Sequence, residues 1–272
     1  MGKRRARRVC RRILDALLAV TLAPRCAACG RVLESPLAGP VCDACWAGVT
    51  PLLAPFCRVC GDPLPSWRVI SAALERCPRC RRIPSLVDVA RSAGLYEGSL
   101  REIVRAFKYE GRRGLAAPLA EMMRAAGASL LGDADCIVPV PLHVWRRVRR
   151  GFNQSDDLAR RLDLPVMHLL LRVRATAPQT GLTAAARRRN VRDAFRLSPF
   201  LPRGVRRRLE GRIVVLVDDV RTTGATLDAC ASVLKGAGAK EVRALTAARA
   251  VAPAPGARPA SPSAGRPGRA DQ

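Results

Sequence analysis

The sequence predicts an α/β protein, in which a parallel sheet is flanked by helices and follows a small cysteine-rich module. Four C-x-x-C pairs lie within residues 26–80, and strand-like apolar runs alternate with helix-like periodicity after residue 86. One of these runs ends in two acidic residues and a Thr/Gly loop. A basic amphipathic helix precedes the cysteines, and a basic tail without periodicity closes the chain. The predicted parts are residues 1–24, 25–82, 83–250 and 251–272.

Composition excludes a disordered chain and a membrane-spanning helix. Hydrophobic residues make up 49% of the 272 residues, enough for a sizeable core. No uncharged apolar run reaches the roughly 18 residues that a span needs. The 48 Lys and Arg residues outnumber the 22 Asp and Glu residues, and this charge of +26 favours phosphate-rich partners. Asp15 interrupts the apolar start and no small-residue cleavage site follows, so we expect a cytoplasmic protein rather than a secreted one.

The four cysteine pairs predict two zinc sites. A C-x-x-C turn aims two sulfur atoms at one point, and two such turns complete a tetrahedral thiolate cage. A redox dithiol needs only one pair, and a disulfide framework does not need a repeated spacing. Protein ligands fill all four positions of each ion, so the predicted metal is structural. The predicted ligands are Cys26, Cys29, Cys42, Cys45, Cys57, Cys60, Cys77 and Cys80.

An internal repeat indicates which pairs share an ion. Glycine follows Cys29 and Cys60, whereas Trp46 and Arg81 follow the second and fourth pairs. The order C-x-x-C-G and then C-x-x-C therefore occurs twice, which favours two successive ribbons. A cross-braced arrangement of the same cysteines is the alternative.

After the cysteines, apolar periodicity predicts the elements in turn. A strand or hairpin is predicted at 87–96, an amphipathic helix follows around 100–107, and a second helix spans about 115–131. Further apolar runs are typical of buried strands, at 136–140, 164–169, 213–217 and 242–246. Alternating strands and helices predict a parallel sheet covered on both faces.

The run at 213–226, IVVLVDDVRTTGAT, has a chemical use for each of its parts. Asp218 and Asp219 end the strand, where they can accept hydrogen bonds from vicinal sugar hydroxyls. The loop then opens onto a helix and can aim N–H groups and hydroxyls at a phosphate. Open α/β sheets bind ligands at this edge. An exposed acidic turn that caps the helix is the alternative. The loop residues are Thr222, Thr223, Gly224, Ala225 and Thr226.

This segment resembles the phosphoribosyl pyrophosphate (PRPP) signature of type I phosphoribosyltransferases. The chain as a whole resembles the ComF/GntX-like family, which joins a double zinc ribbon to that fold. The resemblance covers roughly residues 20–248, and it implies PRPP binding with magnesium held mainly by the substrate. It also implies phosphoribosyl transfer if the protein is an enzyme, with no acceptor identified. The other family-like segments are FKYEGRR (107–113), VPVPLH (138–143), RRGFNQS (149–155) and PQTGLTAAARRRNVRDAF (178–195).

The resemblance implies that VPVPLH binds pyrophosphate, with Pro141, His143 and Arg147 as candidates; a proline-stiffened strand exit is the alternative. It also implies a site role for Lys108, which the sequence alone explains equally well as a snorkelling lysine.

Asn153 and Gln154 fall beside that segment by the same resemblance, although Asn153 or Ser155 also suits a helix N-cap. The basic loop at 172–193 would fold over the substrate, with Gln179 and Arg187 as candidates; a solvated charged face is the alternative.

Two questions stay open at the level of sequence. Arg221 departs from the small or apolar residue usual in such loops, and it either pairs with Asp218 or Asp219 or adds a phosphate contact. The second question is whether the chain is instead a non-catalytic component of DNA uptake in natural competence. Such a chain would bind single-stranded DNA or proteins of the competence machinery, and its ribbons and basic ends would contact DNA phosphates. Aromatic residues are only 4%, which disfavours base stacking.

Overall fold

The computed structural model describes residues 2–64, 75–174, 193–201, 204 and 209–251, and only the backbone of residues 2–11. The described strands are β1 (Val89–Leu95), β2 (Cys136–Pro139), β3 (Leu170–Arg172), β4 (Phe195–Leu197), β5 (Ile213–Arg221) and β6 (Glu241–Arg249). The described α-helices are α1 (Gly2–Leu22), α2 (Asp43–Ala47), α3 (Pro78–Arg82), α4 (Gly98–Tyr109), α5 (Ala116–Ala126), α6 (Ala128–Leu131), α7 (Val144–Arg150), α8 (Gln154–Ala159) and α9 (Ala225–Gly236).

Four strands form a parallel sheet in the order β1-β6-β5-β2, and β3 and β4 form a separate antiparallel pair. Side chains of α4, α5 and α8 pack on one face of the sheet, where Val215 and Val217 lie. Side chains of α9 pack on the other face, against Val214 and Leu216. Burial on both faces explains why β5 begins as a continuous apolar run. The predicted parallel sheet with flanking helices is confirmed.

Two predicted elements differ from the structure. The helix expected at 115–131 is divided between α5 and α6 at Gly127, where a Cβ would lie 2.7 Å from the Leu245 side chain. The run at 164–169 is not a strand: it makes a single parallel bridge, from Val166 to Ile137. The Leu169 N–H then donates to the Met167 carbonyl at 3.0 Å, a tight turn that ends the extended run before pairing can continue.

The cysteine-rich module covers the free edge of β1. Thr50 accepts a hydrogen bond from the Leu95 N–H at 2.9 Å, and the Leu52 N–H donates to Ala93 at 3.3 Å. Farther along the strand, the Ala90 N–H donates to the Val59 carbonyl at 2.7 Å. An edge strand exposes unpaired backbone groups, so the module supplies the partners that β1 would otherwise lack.

Helix α1 docks on the module through one acidic side chain. Asp15 is 8% exposed, and its Oδ1 accepts a hydrogen bond from the Leu37 N–H at 2.8 Å. Ile13, Leu17 and Val20, spaced along the helix, are all more than half exposed. Within the described part of the chain, no helix is both long and apolar enough to cross a membrane.

A matched pair of glycines tests the docking of the module on β1. Gly30 and Gly61 both have positive φ, at 75° and 68°, but only a Cβ on Gly61 would meet the Ala90 carbonyl oxygen, at 2.7 Å. We expect Gly30→Ala to lower the free energy of unfolding by about 1 kcal/mol through backbone strain alone. Gly61→Ala should cost roughly 2 kcal/mol more, because backbone atoms must move apart. Denaturant unfolding measures both losses. Equal losses would show that the turn at Gly61 does not approach β1 this closely.

Candidate functional site

The eight ribbon cysteines form two clusters, each of two neighbouring pairs. Cys26, Cys29, Cys42 and Cys45 make the first cluster, and Cys57, Cys60, Cys77 and Cys80 make the second. Within each cluster the sulfur atoms all lie within 4.8 Å of one another. The Sγ–Sγ distances include 3.9 Å for Cys26 and Cys45 and 3.5 Å for Cys60 and Cys77. Tetrahedral zinc with Zn–S bonds of ~2.3 Å separates its sulfur atoms by about 3.8 Å. The clusters follow the sequential pairing, not the cross-braced one.

The surroundings of some of the sulfur atoms favour thiolates, whereas burial raises the pKa of the Cys80 thiol to about 12. The N–H groups of Ala28 and Cys42 both donate to Cys26 Sγ at 3.4 Å, and the Cys77 N–H donates to Cys57 Sγ at 3.3 Å. The hydrogen bond from Cys60 lowers the pKa of the Cys57 thiol to about 4. Four thiolates this close repel one another, so a bound dication is needed for all four to be anionic together. These residues fit structural zinc.

A second candidate site lies at the carboxyl edge of the sheet, where β2 and β5 end side by side. The Val140 N–H, just beyond β2, donates to the Val217 carbonyl of β5 at 2.9 Å. Asn153, at the start of α8, donates from Nδ2 to the Val140 carbonyl at 3.1 Å. The segments that follow β2 and β5 are therefore held next to each other, together with the first turn of α8.

The two aspartates at the end of β5 have different partners. Asp219 forms an ion pair with Lys108 at 2.8 Å, and the two side chains are only 12% and 15% exposed. Asp218 Oδ1 accepts hydrogen bonds from Ser155 Oγ at 3.0 Å and from the Asp219 N–H at 2.9 Å. Burial, and then the charge of Asp219, raise the pKa of Asp218 to about 7. Lys108 is thus a partner of the acidic pair, not a snorkelling lysine.

The loop at 222–226, which we call the Thr/Gly loop, connects β5 to α9. Gly224 is the N-cap of α9 and has a φ of 78°, which favours glycine. Thr223 is 9% exposed, and its Oγ1 accepts from the Ala225 N–H at 3.4 Å. The first N–H groups of a helix have no partners within the helix, and its dipole favours an anion there. The loop therefore has the geometry of an anion site.

Arg221 does not pair with the aspartates, which is one of the two roles that the sequence left open; the other, a phosphate contact, stays a prediction. Its guanidinium lies beneath the loop, with Nε 3.1 Å from the position of a Cβ on Gly224. Its Nη1 donates a hydrogen bond to the Cys60 carbonyl of the second cysteine cluster. Among the described residues, it makes no ion pair with Asp218 or Asp219.

The other candidate residues line the same edge or lie outside the described residues. His143 is the N-cap of α7, next to the half-buried Pro141, and Arg147 is exposed on that helix. Asn153 caps α8 by accepting from the Ser155 N–H at 3.2 Å, as the N-cap alternative predicts. Gln154 is fully buried and accepts from Arg150 at 3.0 Å. Thr226 begins α9. Gln179 and Arg187 fall outside the described residues.

Sequence reasoning missed three side chains around this site. Ser155 was expected only as a possible cap, yet its hydroxyl contacts Asp218. Arg172, at the end of β3, is 6% exposed and interacts electrostatically with Asp218 and Arg146. Arg79, between two zinc ligands, donates to the Thr223 carbonyl. The FNQS segment carried a signal for Ser155, but nothing local marks an arginine as a long-range partner.

Known proteins share both parts of the chain. A double zinc ribbon domain matches residues 17–81, and a phosphoribosyl transferase domain matches residues 148–261. Competence protein F of Haemophilus influenzae is 32% identical, over 72% of this chain and 85% of that protein. DNA utilization protein YhgH of Salmonella typhi is 36% identical, over 75% and 87%. The crystal structure of orotate phosphoribosyltransferase from Aeropyrum pernix is 18% identical, covers 52% of this chain and 75% of that one, and has a TM-score of 0.30.

The matched domains, the parallel sheet and the cysteine clusters define a double zinc ribbon joined to a phosphoribosyltransferase-type α/β domain. Identity above 30% over most of both chains then places the protein more narrowly. It belongs to the ComF-like family, together with Competence protein F and YhgH. The resemblance drawn from the sequence is confirmed.

The raised pKa of Asp218 predicts a pH-dependent effect of Asp218→Asn. The unfolded carboxyl titrates near pH 3.9 and the folded one at about 7, so stability is lost as pH rises between these values. Asparagine cannot ionise and avoids this loss. We expect Asp218→Asn to unfold like the wild type near pH 4 and to be more stable by roughly 1–3 kcal/mol at pH 8. Denaturant unfolding across that range measures the difference. A difference that stays constant with pH would contradict the burial of this charge.

Proposed function

We propose that the chain binds PRPP with magnesium at the carboxyl edge of β5, and that it transfers phosphoribose if an acceptor is supplied. One observation carries the proposal: the partly buried acidic pair Asp218 and Asp219 lies directly before a loop that ends in a helix N-terminus. A ligand that carries both a sugar diol and a phosphate needs these two kinds of group side by side. The matched phosphoribosyl transferase domain supports the same ligand class.

In this proposal the Thr/Gly loop holds the 5-phosphate through backbone N–H groups, Thr223 and Thr226. The carboxylates of Asp218 and Asp219 accept from the ribose hydroxyls and stabilise positive charge on the ribosyl group as pyrophosphate departs. The cationic side of the site is formed by Lys108, which pairs with Asp219, and by Arg172, which interacts electrostatically with Asp218 and Arg146. His143 and Arg147, with Pro141, border the place for the diphosphate.

The residues at this edge also fit magnesium. Asp218 Oδ2 has no hydrogen-bond partner within the described parts of the chain, and carboxylate oxygens are ligands that Mg²⁺ accepts. The ion keeps most of its contacts with water and substrate oxygens, so one or two protein carboxylates suffice. When bound, it neutralises charge on the diphosphate.

Calorimetric titration of PRPP with Mg²⁺ tests the proposal. We expect binding to the wild type and at least a hundredfold weaker binding to the Asp218→Asn/Asp219→Asn variant, because hydrogen bonds to charged groups are each worth about 1.5–3 kcal/mol. Asp163→Asn, whose side chain is 77% exposed in a surface ion pair, is the matched control and should bind as the wild type does. Equal binding to all three proteins, or none to the folded wild type, would refute a PRPP site here.

A second candidate function is binding of single-stranded DNA, in line with the names of Competence protein F and YhgH. The observation that favours it is α7, whose sequence VWRRVRR carries Trp145, 76% exposed, among four arginines. Exposed aromatics stack on bases while arginines contact phosphates. The aromatics of the module suit this role less well, because Trp46 packs against the core and Phe56 lies under Arg91, 4.3 Å away. Trp67 lies outside the described residues.

Fluorescence anisotropy with a labelled oligo-dT tests this second candidate. We expect Trp145→Ala to weaken binding about tenfold, since one stacked base is worth ~1–3 kcal/mol. Phe200→Ala, which removes another exposed aromatic (87%), is the control and should bind as the wild type does. Affinity should also fall steeply as salt rises. Equal losses in the two variants would show that α7 is not the DNA surface.

A further inference from the structure

Three arginines connect the second zinc ribbon to the Thr/Gly loop through hydrogen bonds and an ion pair. Arg79 Nη2 donates to the Thr223 carbonyl, and Arg221 Nη1 donates to the Cys60 carbonyl. Arg249 forms an ion pair with Asp62 and donates from Nη1 to the Thr222 carbonyl. Arg221 and Arg249 are only 5% and 4% exposed, so these contacts are shielded from competing water.

Both C-x-x-C turns of the second cysteine cluster contribute to these contacts with the Thr/Gly loop. Cys60 ends the first turn and Asp62 follows it closely, whereas Arg79 lies between Cys77 and Cys80 in the second turn. A zinc ion bound by both C-x-x-C turns therefore fixes the distance between Arg79 on one turn and Cys60 and Asp62 on the other. Among the described residues, the first cysteine cluster has no hydrogen bond or ion pair to the loop.

The direction of these hydrogen bonds decides where the loop's N–H groups point. A peptide unit is planar and trans, so its C=O and the following N–H point in opposite directions. When Arg249 holds the Thr222 carbonyl and Arg79 holds the Thr223 carbonyl, the N–H groups of Thr223 and Gly224 are directed to the other side. Carbonyl oxygens repel anions and N–H groups attract them, so this orientation is the one an anion site needs.

The arginines also place positive charge directly under the loop. Arg221 lies against Gly224, and its buried Nε has no hydrogen-bond partner within the described residues. Arg249 pairs with the carboxylate of Asp62, and Arg221 interacts electrostatically with Asp62, Asp228 and Cys60.

We infer that Arg79 and Arg249 are positioning residues for a phosphoryl group bound at the Thr/Gly loop, and that the second zinc ribbon holds them in place. The inference rests on the proposed function, which supplies the phosphoryl ligand. It makes the ribbon part of the site rather than a separate module. The two cysteine clusters then have unequal effects on ligand binding, although their sequences repeat the same pattern.

Hydrogen exchange and calorimetry on the full chain test the inference, with Arg79→Ala set against Arg81→Ala. Arg81 is exposed in the same short helix α3, so its loss controls for charge and helix changes. Zinc content should be unchanged in both variants. We expect Arg79→Ala to speed exchange of the loop amides, including those of Gly224 and Ala225, at least fivefold and to weaken PRPP·Mg²⁺ and inorganic phosphate binding about tenfold. Arg79→Lys, which keeps one donor, should restore part of both effects.

The outcomes separate this inference from the proposed function. If the wild type binds PRPP and Arg79→Ala matches Arg81→Ala in either measurement, the inference is wrong and the PRPP site stands. If the wild type binds phosphate but not PRPP, while Arg79→Ala binds phosphate more weakly, the inference stands and the proposed function is wrong. If the folded wild type binds neither ligand, both are wrong.

A cysteine comparison tests the part assigned to the metal. Cys80→Ser, in the second cluster, should speed exchange of the loop amides, whereas Cys29→Ser, in the first, should leave them protected. Equal protection in the two variants would overturn the role of the second zinc ribbon. If either cysteine variant fails to fold, the Arg79 variants alone test whether the contacts from this ribbon position the loop.

Discussion

The pairing of β5 with β2 on one side and β6 on the other is the constraint on which the rest of the site depends. It places the end of β5 beside the segment after β2, and it buries the apolar start of β5 so that Asp218 and Asp219 emerge only at the edge. Both aspartates then meet groups from helices far away in the chain, Ser155 of α8 and Lys108 of α4. A strand that is buried and charged at one end is a stable arrangement only when such partners are present.

Much of this organisation could be predicted from the sequence because its signals are local. The C-x-x-C spacing defines a metal-binding turn within four residues, and the repeat of C-x-x-C-G indicated the sequential pairing. The apolar run before Asp218 predicted a buried strand, and the Thr/Gly loop predicted a helix start. The prediction of a strand at 164–169 was wrong because hydrophobicity alone does not reveal the turn that begins at Met167 and ends the pairing.

What the sequence could not reveal is contact over long separations. A cysteine-rich module followed by an α/β pattern reads as two independent units, and nothing local indicates that Ala90 pairs with Val59. Arg221 looked like an anomaly within the loop, whereas in the fold it reaches the Cys60 carbonyl. Arginine is long enough and polar enough to join elements in many geometries, so its partner depends on the complete packing.

The central claim is that the Thr/Gly loop and the acidic pair form one site for a phosphoribosyl ligand. Amide chemical shifts of ¹⁵N-labelled full-length protein, recorded while PRPP and Mg²⁺ are added, test it most directly. The account predicts that the largest shifts include Gly224 and Ala225 and that they disappear in Asp218→Asn/Asp219→Asn. Saturable binding whose largest shifts lie elsewhere, with Gly224 and Ala225 unmoved, would contradict it.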